Sequence, residues 1–345
     1  MHVVVLVPDI HDRPTGGNIY NRRIAAALAE RATVEVVPWA PEEAPKPPVE
    51  GGPDTIVVDS LLVQHADALR ALRGTCPEAS LILLAHYLHC IDPRERASGA
   101  ADAERALLPL FDGAITTSPF ARRALIDEGM GATRVKAVPP GLDPTYRETV
   151  PRRYATGAPE LLTVANLLPG KGLPTFVETL GRLSEEAWRW TLVGDDALDP
   201  AFADDLRARI RASSIADRVA LAGVIPPANM PTRYDRTDVF VLPSRFETCS
   251  MATREAMARG LPVVGYAVGG LPDNLGDADA GLLASPDRPD ALADALRTLL
   301  TNPARRRRMG RAARERSRAF PTWPEAGDRF GTALEDVATS AQAST

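Results

Sequence analysis

Apolar, β-branched runs alternate with helix-period segments from one end of this chain to the other, and no other feature limits its possible folds as much. Runs at 2–7, 34–37, 55–58, 81–85, 114–117 and 135–138 read as strands. Helical patterns fall between them at 18–31, 61–73, 103–110 and 119–127. Such alternation implies parallel strands joined by right-handed crossovers, with helices on both faces. A break rich in Pro, Gly and charge covers 139–151 and reads as a linker. The alternation then restarts, with strands at 161–165, 190–193, 219–222, 239–242 and 263–266. Helices fall near 174–183, 200–212, 228–234, 250–259 and 289–300. The expectation is two tandem α/β domains, 1–143 and 159–320, with a linker over 144–158. A last segment, 321–345, carries a helix near 324–337 that packs back toward the first domain, and a tail that frays from 339. Open parallel sheets bind ligands beyond the carboxyl ends of their strands, so two facing sheets place a site in the cleft between them.

Composition removes several classes. The 345 residues are 45% hydrophobic and 25% charged, a balance that buries a substantial core. A net charge of −5 gives no global attraction to nucleic acid or to an anionic membrane. No run approaches the ~18–20 apolar residues of a spanning helix. The apolar start is too short for a signal peptide and lacks a basic lead, so the chain reads as cytoplasmic. Cys76, Cys90 and Cys249 are scattered and odd in number, which fits a reducing compartment and gives neither a disulfide framework nor a Cys-based zinc site. The proline-rich stretch 38–53 reads as a surface loop, and His11 and His65 as surface residues. The eight arginines of 305–318 read as a solvated helix rather than a nucleic-acid patch.

Three motifs carry chemistry. Gly16-Gly17 lies between the first strand and helix, where glycines let backbone approach a ligand and a helix start offers N–H groups to an anion; a tight turn is the plainer reading. There is no G-x-G-x-x-G fingerprint. Residues 165–172 run from a strand into a helix and contain Lys171. They fail the phosphate-loop pattern, since Gly172 follows the lysine and Ala165 stands where a glycine is needed. Lysine is nonetheless uncommon here, only three among 40 basic residues, so its use at this turn favours a specific ammonium. The third stretch, 243–255, leaves a strand and enters a helix. Glu247 stands at the helix entrance and Glu255 eight residues on, ~80° round and ~12 Å along the helix. That separation excludes a shared proton or metal ion and suits a grip on two ends of one elongated ligand, with free N–H groups between them. The plainer alternative is one N-terminal charge and one solvated glutamate. Asp277 and Asp279 form a bare D-x-D in a loop, and Asp195-Asp196 a strand-end turn.

From Glu247 to Glu255 the sequence resembles the E-x7-E motif of retaining glycosyltransferases of family 4, which have the GT-B fold. The strand before it (238–244), its continuation (255–264), the glycine loop Gly269-Gly270-Leu271-Pro272-Asp273 and the Lys-Gly segment 166–172 are similar too. Gly16-Gly17 and the turn Thr117-Ser118-Pro119-Phe120 match the first domain more loosely. The resemblance implies an α/β GT-B architecture of two Rossmann-like domains and a nucleotide-sugar donor. Glu255 would bind the ribose hydroxyls and Glu247 the hydroxyls of the transferred sugar. Backbone at Cys249, Ser250 and Met251 would line sugar and phosphate. Lys171 would meet the diphosphate with help from Gly17. Many members carry Arg where this chain has Asn166, which leaves Asn166 as a neutral donor. Val224 falls where the nucleobase loop lies. His86, with His89 as a weaker rival, falls where the family places a residue near the reacting carbon.

The expected chemistry is retaining, metal-independent sugar transfer, with Lys171 and helix N-termini stabilising the leaving phosphate and the acceptor attacking from the same face. No cofactor and no nucleic-acid partner is expected. The acceptor (small molecule, glycan or lipid) is open, and loops at 13–23 and 87–103 are the candidates to read it. The alternatives are a GT-B-like sugar-nucleotide epimerase, a phosphorylase, or a catalytically silent nucleotide-sugar binder.

Overall fold

Helices cover both faces of each sheet, which explains why the strand sequences are unbroken apolar runs rather than alternating ones. A computed structural model describes residues 1–10, 12–43, 49–148 and 157–342. His11, Lys46 with the middle of the 38–53 loop, most of the 144–158 linker and the last three residues lie outside it. The chain divides into two compact units, Met1–Gly141 with Pro321–Thr345, and Leu142–Phe320.

The first unit runs β1 (His2–Pro8), α1 (Gly16–Leu28), β2 (Thr33–Trp39), β3 (Thr55–Asp59), α2 (Ala66–Thr75), β4 (Ser80–Ala85), α3 (Gly99–Leu107), β5 (Gly113–Thr116), α4 (Pro119–Asp127) and β6 (Val135–Ala137). Its parallel sheet has the order β2-β1-β3-β4-β5-β6. The chain goes from β1 out to edge strand β2, then returns to β3 on the other side. The crevice between β1 and β3 is therefore a topological switch point. Every residue of β3 is buried, whereas the outer strand β2 keeps Thr33 and Glu35 in solvent, as an edge strand should.

The second unit runs α5 (Pro144–Arg147), β7 (Glu160–Val164), α6 (Leu173–Gly181), β8 (Arg189–Val193), α7 (Pro200–Ala212), β9 (Val219–Gly223), α8 (Met230–Asp235), β10 (Val239–Leu242), α9 (Met251–Ala258), β11 (Val263–Tyr266), α10 (Leu271–Leu275), β12 (Gly281–Ala284), α11 (Pro289–Thr301) and α12 (Pro303–Ser317). Its sheet order is β12-β11-β10-β7-β8-β9. Strands β7 to β9 build one side and β10 to β12 the other, so this switch point lies between β7 and β10.

The last helix, α13 (Trp323–Gln342), belongs to the first unit. Ala326, Phe330, Leu334 and Val337, at i, i+4, i+8 and i+11, form its fully buried stripe. Gly327 lets it close on α1, because a side chain there would run into Ala27. Trp323 meets Tyr20 edge-on with ring centroids 6.1 Å apart. Among the described residues no helix is long and apolar enough to cross a membrane.

Several expectations need correction. Residues 142–148 are not linker: Leu142 and Tyr146 are buried in the core of the second unit. Arg259 ties α5 down by donating to the carbonyls of Thr145 (3.0 Å) and Glu148 (3.2 Å). Strand β12 was not anticipated, since Gly281-Leu282-Leu283-Ala284 is short and opens with glycine. Gly281 is there because a Cβ would strike the Val263 carbonyl of the neighbouring strand. The helix expected at 61–73 splits into a 3-10 turn (Ser60–Leu62) and α2. The one expected at 103–110 starts earlier, because Ser98 accepts from the Ala101 N–H and caps it at Gly99. Gly16 and Gly17 form the first turn of α1, capped by Thr15, instead of preceding it. The arginine-rich helix is only partly solvated: Arg306 is buried and donates to the carbonyls of Leu299 (2.5 Å) and Leu300 (2.8 Å), closing the end of α11. Helix α13 continues to 342, past the point where a frayed tail was expected.

Candidate functional site

In the second unit the chemistry-bearing residues gather at the β7/β10 switch point. The segment leaving β7 makes a 3-10 turn, Pro169–Lys171, that ends on Gly172 in a left-handed conformation (φ +66°). A side chain at Gly172 would collide with the Pro243 carbonyl. The glycine thus lets the turn press against the segment leaving β10, where the Arg245 N–H donates 3.1 Å to the Gly170 carbonyl. This contact delivers Lys171 to Glu247: Nζ donates to Oε1 at 2.7 Å, and the Ser244 hydroxyl donates to the same oxygen at 2.7 Å. The pair is largely but not fully covered, with side-chain exposures of 29% and 11%. The Glu247 carbonyl accepts from the Gly270 N–H at 2.8 Å. Gly269, at φ +54°, would strike that same carbonyl if it carried a Cβ.

Glu247 is not helical. Helix α9 starts at Met251, after Ser250 as N-cap. The helical separation expected for the two glutamates therefore does not apply to them. Ser250 is the one non-glycine with positive φ (61°) among the described residues. Its hydroxyl accepts from the Thr253 N–H at 3.4 Å. The Cys249 carbonyl is held by the Asn274 amide. Met251 and Ala252 open the first turn, whose N–H groups have no intrahelical acceptors.

Glu255, in the second turn of α9, accepts from the Tyr234 hydroxyl at 2.8 Å. Burial pushes its carboxyl up to about 7, against the lowering effect of hydrogen bonds from Tyr234 and Tyr146. Lys171, Glu247 and Ser244 thus form one group, and Glu255 with Tyr234 and Tyr146 a second. Asn166 is engaged elsewhere: its Oδ1 accepts from the Asp195 N–H at 3.1 Å and ties the exits of β7 and β8 together. Val224 stands 54% exposed on the turn after edge strand β9.

In the first unit the β1/β3 switch point holds a third group. His86 leaves β4 with its N–H bonded to the Ser60 hydroxyl at 3.1 Å. Its Nε2 lies 2.7 Å from Asn21 Oδ1, and Asn21 Nδ2 donates 2.6 Å to Asp59 Oδ2. A Cβ on Gly17 would sit 3.3 Å from the His86 ring, so glycine brings α1 against it. Gly16 is open, with nothing near a would-be Cβ. Desolvation lowers the His86 pKa, opposed by Asp59. His89 instead bonds Glu104 at 2.8 Å.

Sequence reasoning missed Ser244, Tyr234, Tyr146, Asn21 and Asp59. Two signals were available: Asn18 and Asn21 on the apolar face of α1, and Asp59 closing an otherwise apolar strand. Asp279 of the D-x-D pairs with Arg308 at 3.3 Å. Among the described residues no three His, Cys, Asp or Glu side chains cluster so as to hold a metal ion.

Residues 149–316 match the family model "Glycosyl transferases group 1". The D-inositol 3-phosphate glycosyltransferase of Kineococcus radiotolerans is 32% identical over 247 residues, 65% of this chain and 57% of that protein. The chain therefore spans little more than half of that relative's length. Two solved structures share the fold. Sucrose-phosphate synthase of Thermosynechococcus elongatus superposes with a TM-score of 0.79 at 21% identity, covering 96% of this chain and 98% of that one. Anabaena HepE in complex with UDP and glucose superposes with a TM-score of 0.79 at 17% identity, covering 97% and 99%. The two six-stranded parallel sheets are those of the GT-B fold.

Proposed function

We infer that this chain, whose residues 149–316 match the group 1 glycosyl transferase model, moves a sugar from a nucleoside-diphosphate sugar to an acceptor, with retention of configuration and without a metal ion. The observation that carries this reading is the Lys171–Glu247 pair, 2.7 Å apart at the switch point of the second sheet and beside the start of α9. Such a site offers a cation and a helix N-terminus to a diphosphate, and a carboxylate to sugar hydroxyls.

Breaking the bond from anomeric carbon to phosphate builds negative charge on the leaving oxygens. Lys171 and the first-turn N–H groups of α9 stabilise that charge without reorganising. In the free protein Glu247 neutralises Lys171. When the donor binds, the ammonium turns to the diphosphate and Glu247 accepts from the sugar hydroxyls, still oriented by Ser244. Glu255, shaped by Tyr234 and Tyr146, accepts from the ribose. Cys249, Ser250 and Met251 present backbone to the sugar and phosphate, and Val224 lies beside the base. Gly16, Gly17 and His86 offer a helix start and an imidazole to a ligand at the switch point of the first sheet. Two relatives' names support the reading: a D-inositol 3-phosphate glycosyltransferase and a structure solved with UDP and glucose.

The test is a product assay with UDP-, GDP- and ADP-sugars in excess EDTA, with the anomeric configuration of the product read by NMR. Release of diphosphate with a retained glycoside supports the proposal. Binding without release of diphosphate overturns it in favour of a silent binder. Activity only on restoring Mg²⁺ or Mn²⁺ overturns the metal-independent part.

A further inference from the structure

The group around His86 contains more order than a lone histidine near a ligand would need. Asp59 and Asn21 are fully buried. One Asp59 oxygen accepts from the Leu61 N–H at 2.9 Å and the other from Asn21 Nδ2 at 2.6 Å. A carboxylate accepts and cannot donate, so it selects the NH₂ side of the Asn21 amide. The Asn21 carbonyl oxygen is thereby turned to His86 Nε2, 2.7 Å away. That oxygen also only accepts, so the ring nitrogen opposite it must carry the proton.

Asp59 Oδ2 also lies 3.6 Å from His86 Nε2, which favours a proton on that nitrogen. Tyr20 touches the imidazole edge-on, centroids 5.3 Å apart, but its hydroxyl is committed to the Val138 carbonyl at 2.8 Å. Ser60 holds the backbone N–H of His86, not its ring. Among the described residues nothing bonds Nδ1. Desolvation favours the uncharged ring.

We propose that Asn21 and Asp59 are positioning residues that lock His86 in the neutral Nε2–H tautomer and so present Nδ1 as a bare hydrogen-bond acceptor. A ring fixed this way accepts from a hydroxyl group and gives no cation to a phosphate. His86 therefore reads a carbohydrate hydroxyl. The hydroxyl assignment rests on the proposed transferase function; the tautomer does not.

The decisive measurement is long-range ¹H–¹⁵N correlation on ¹⁵N-histidine-labelled full-length protein near neutral pH, with His86→Gln identifying the His86 ring among five histidines. A protonated Nε2 and an unprotonated Nδ1 are expected. An Nδ1–H tautomer or an imidazolium overturns the proposal. Asp59→Asn keeps the cap of the Ser60–Leu62 turn but supplies an NH₂, which lets the Asn21 amide flip and present a donor to Nε2. It should populate the Nδ1–H form and lower kcat on the order of ten- to a hundredfold, the size of loss seen when the partner orienting a metal-bound histidine is removed, with little change in donor KM. An unchanged tautomer and unchanged kcat in that variant overturn the assignment. Absence of transfer by the wild type would instead sink the transferase reading and leave the tautomer standing.

Discussion

At the residue scale, the proposed ribose contact of Glu255 implies a pH dependence whose sign follows from its site. Ribose hydroxyls donate, so only the ionised carboxylate binds them well. Burial holds this carboxyl at about 7, above its ordinary 4.5. Nucleoside-diphosphate affinity should therefore fall as pH drops below about 7 and level off above it, approaching tenfold per unit. Calorimetric titration across that range checks this, and Glu255→Gln should flatten the profile while leaving the nucleotide's own titration in place. Stability runs the other way. Between 4.5 and about 7 the folded protein retains a proton the unfolded chain has lost, so this group's contribution declines as pH rises through that window. Lys171 acts on a different quantity. Lys171→Ala should lower kcat/KM by ~10²–10³-fold, or ~3–4 kcal/mol of leaving-group stabilisation. Glu247 keeps its bond from Ser244 in that variant, so the melting temperature should barely move. Near-normal kinetics in the folded variant would remove Lys171 from the mechanism.

At the element scale, two glycines make opposite predictions because they serve different ends. Gly269 combines a left-handed φ of +54° with a carbonyl in the space a Cβ would take. Gly269→Ala should cost at least ~1–2 kcal/mol from backbone strain alone, and should displace Glu247, whose carbonyl it meets. Thermal melts and donor kinetics should deteriorate together. Gly16 opens α1 with free space around it. Gly16→Ala should keep or raise stability, by up to ~0.5–1 kcal/mol, and still depress turnover if a ligand approaches that first turn. Unchanged turnover in a stabilised Gly16→Ala would make the glycine a turn residue and nothing more.

At the scale of the whole molecule, the last segment of the chain completes the first unit. Phe330, Leu334 and Val337 of α13 are fully buried, and α13 packs on α1 and β5. Lys136 of β6 also pairs with Asp336 at 2.8 Å. Ending the chain after Phe320 should therefore expose apolar surface on the first unit. Hydrogen exchange should show lost protection in α1 and β5, with β7, β8 and β10 keeping theirs. Uniform loss across both sheets would mean the two units do not unfold separately.

Local pattern decided which segments are strands and helices, since a run such as Leu81–Ala85 has no soluble alternative to burial on both sides. It also decided the parallel class and the break near 140, and it singled out Lys171, Glu247 and Glu255 as candidates. Each of these depends on residues within one short window. The strand order was decided by tertiary structure. So was the pairing of Lys171 with Glu247, which lie 76 residues apart and meet only because β7 and β10 are neighbours. The Asn21–Asp59–His86 relay likewise joins three segments through a single switch point. Tyr146 looked like linker because proline and charge surround it, yet its ring is buried in the core beside Tyr234. Composition near a residue reports its solvent preference, whereas its hydrogen-bond partners follow from which strands lie side by side, and no local window contains that.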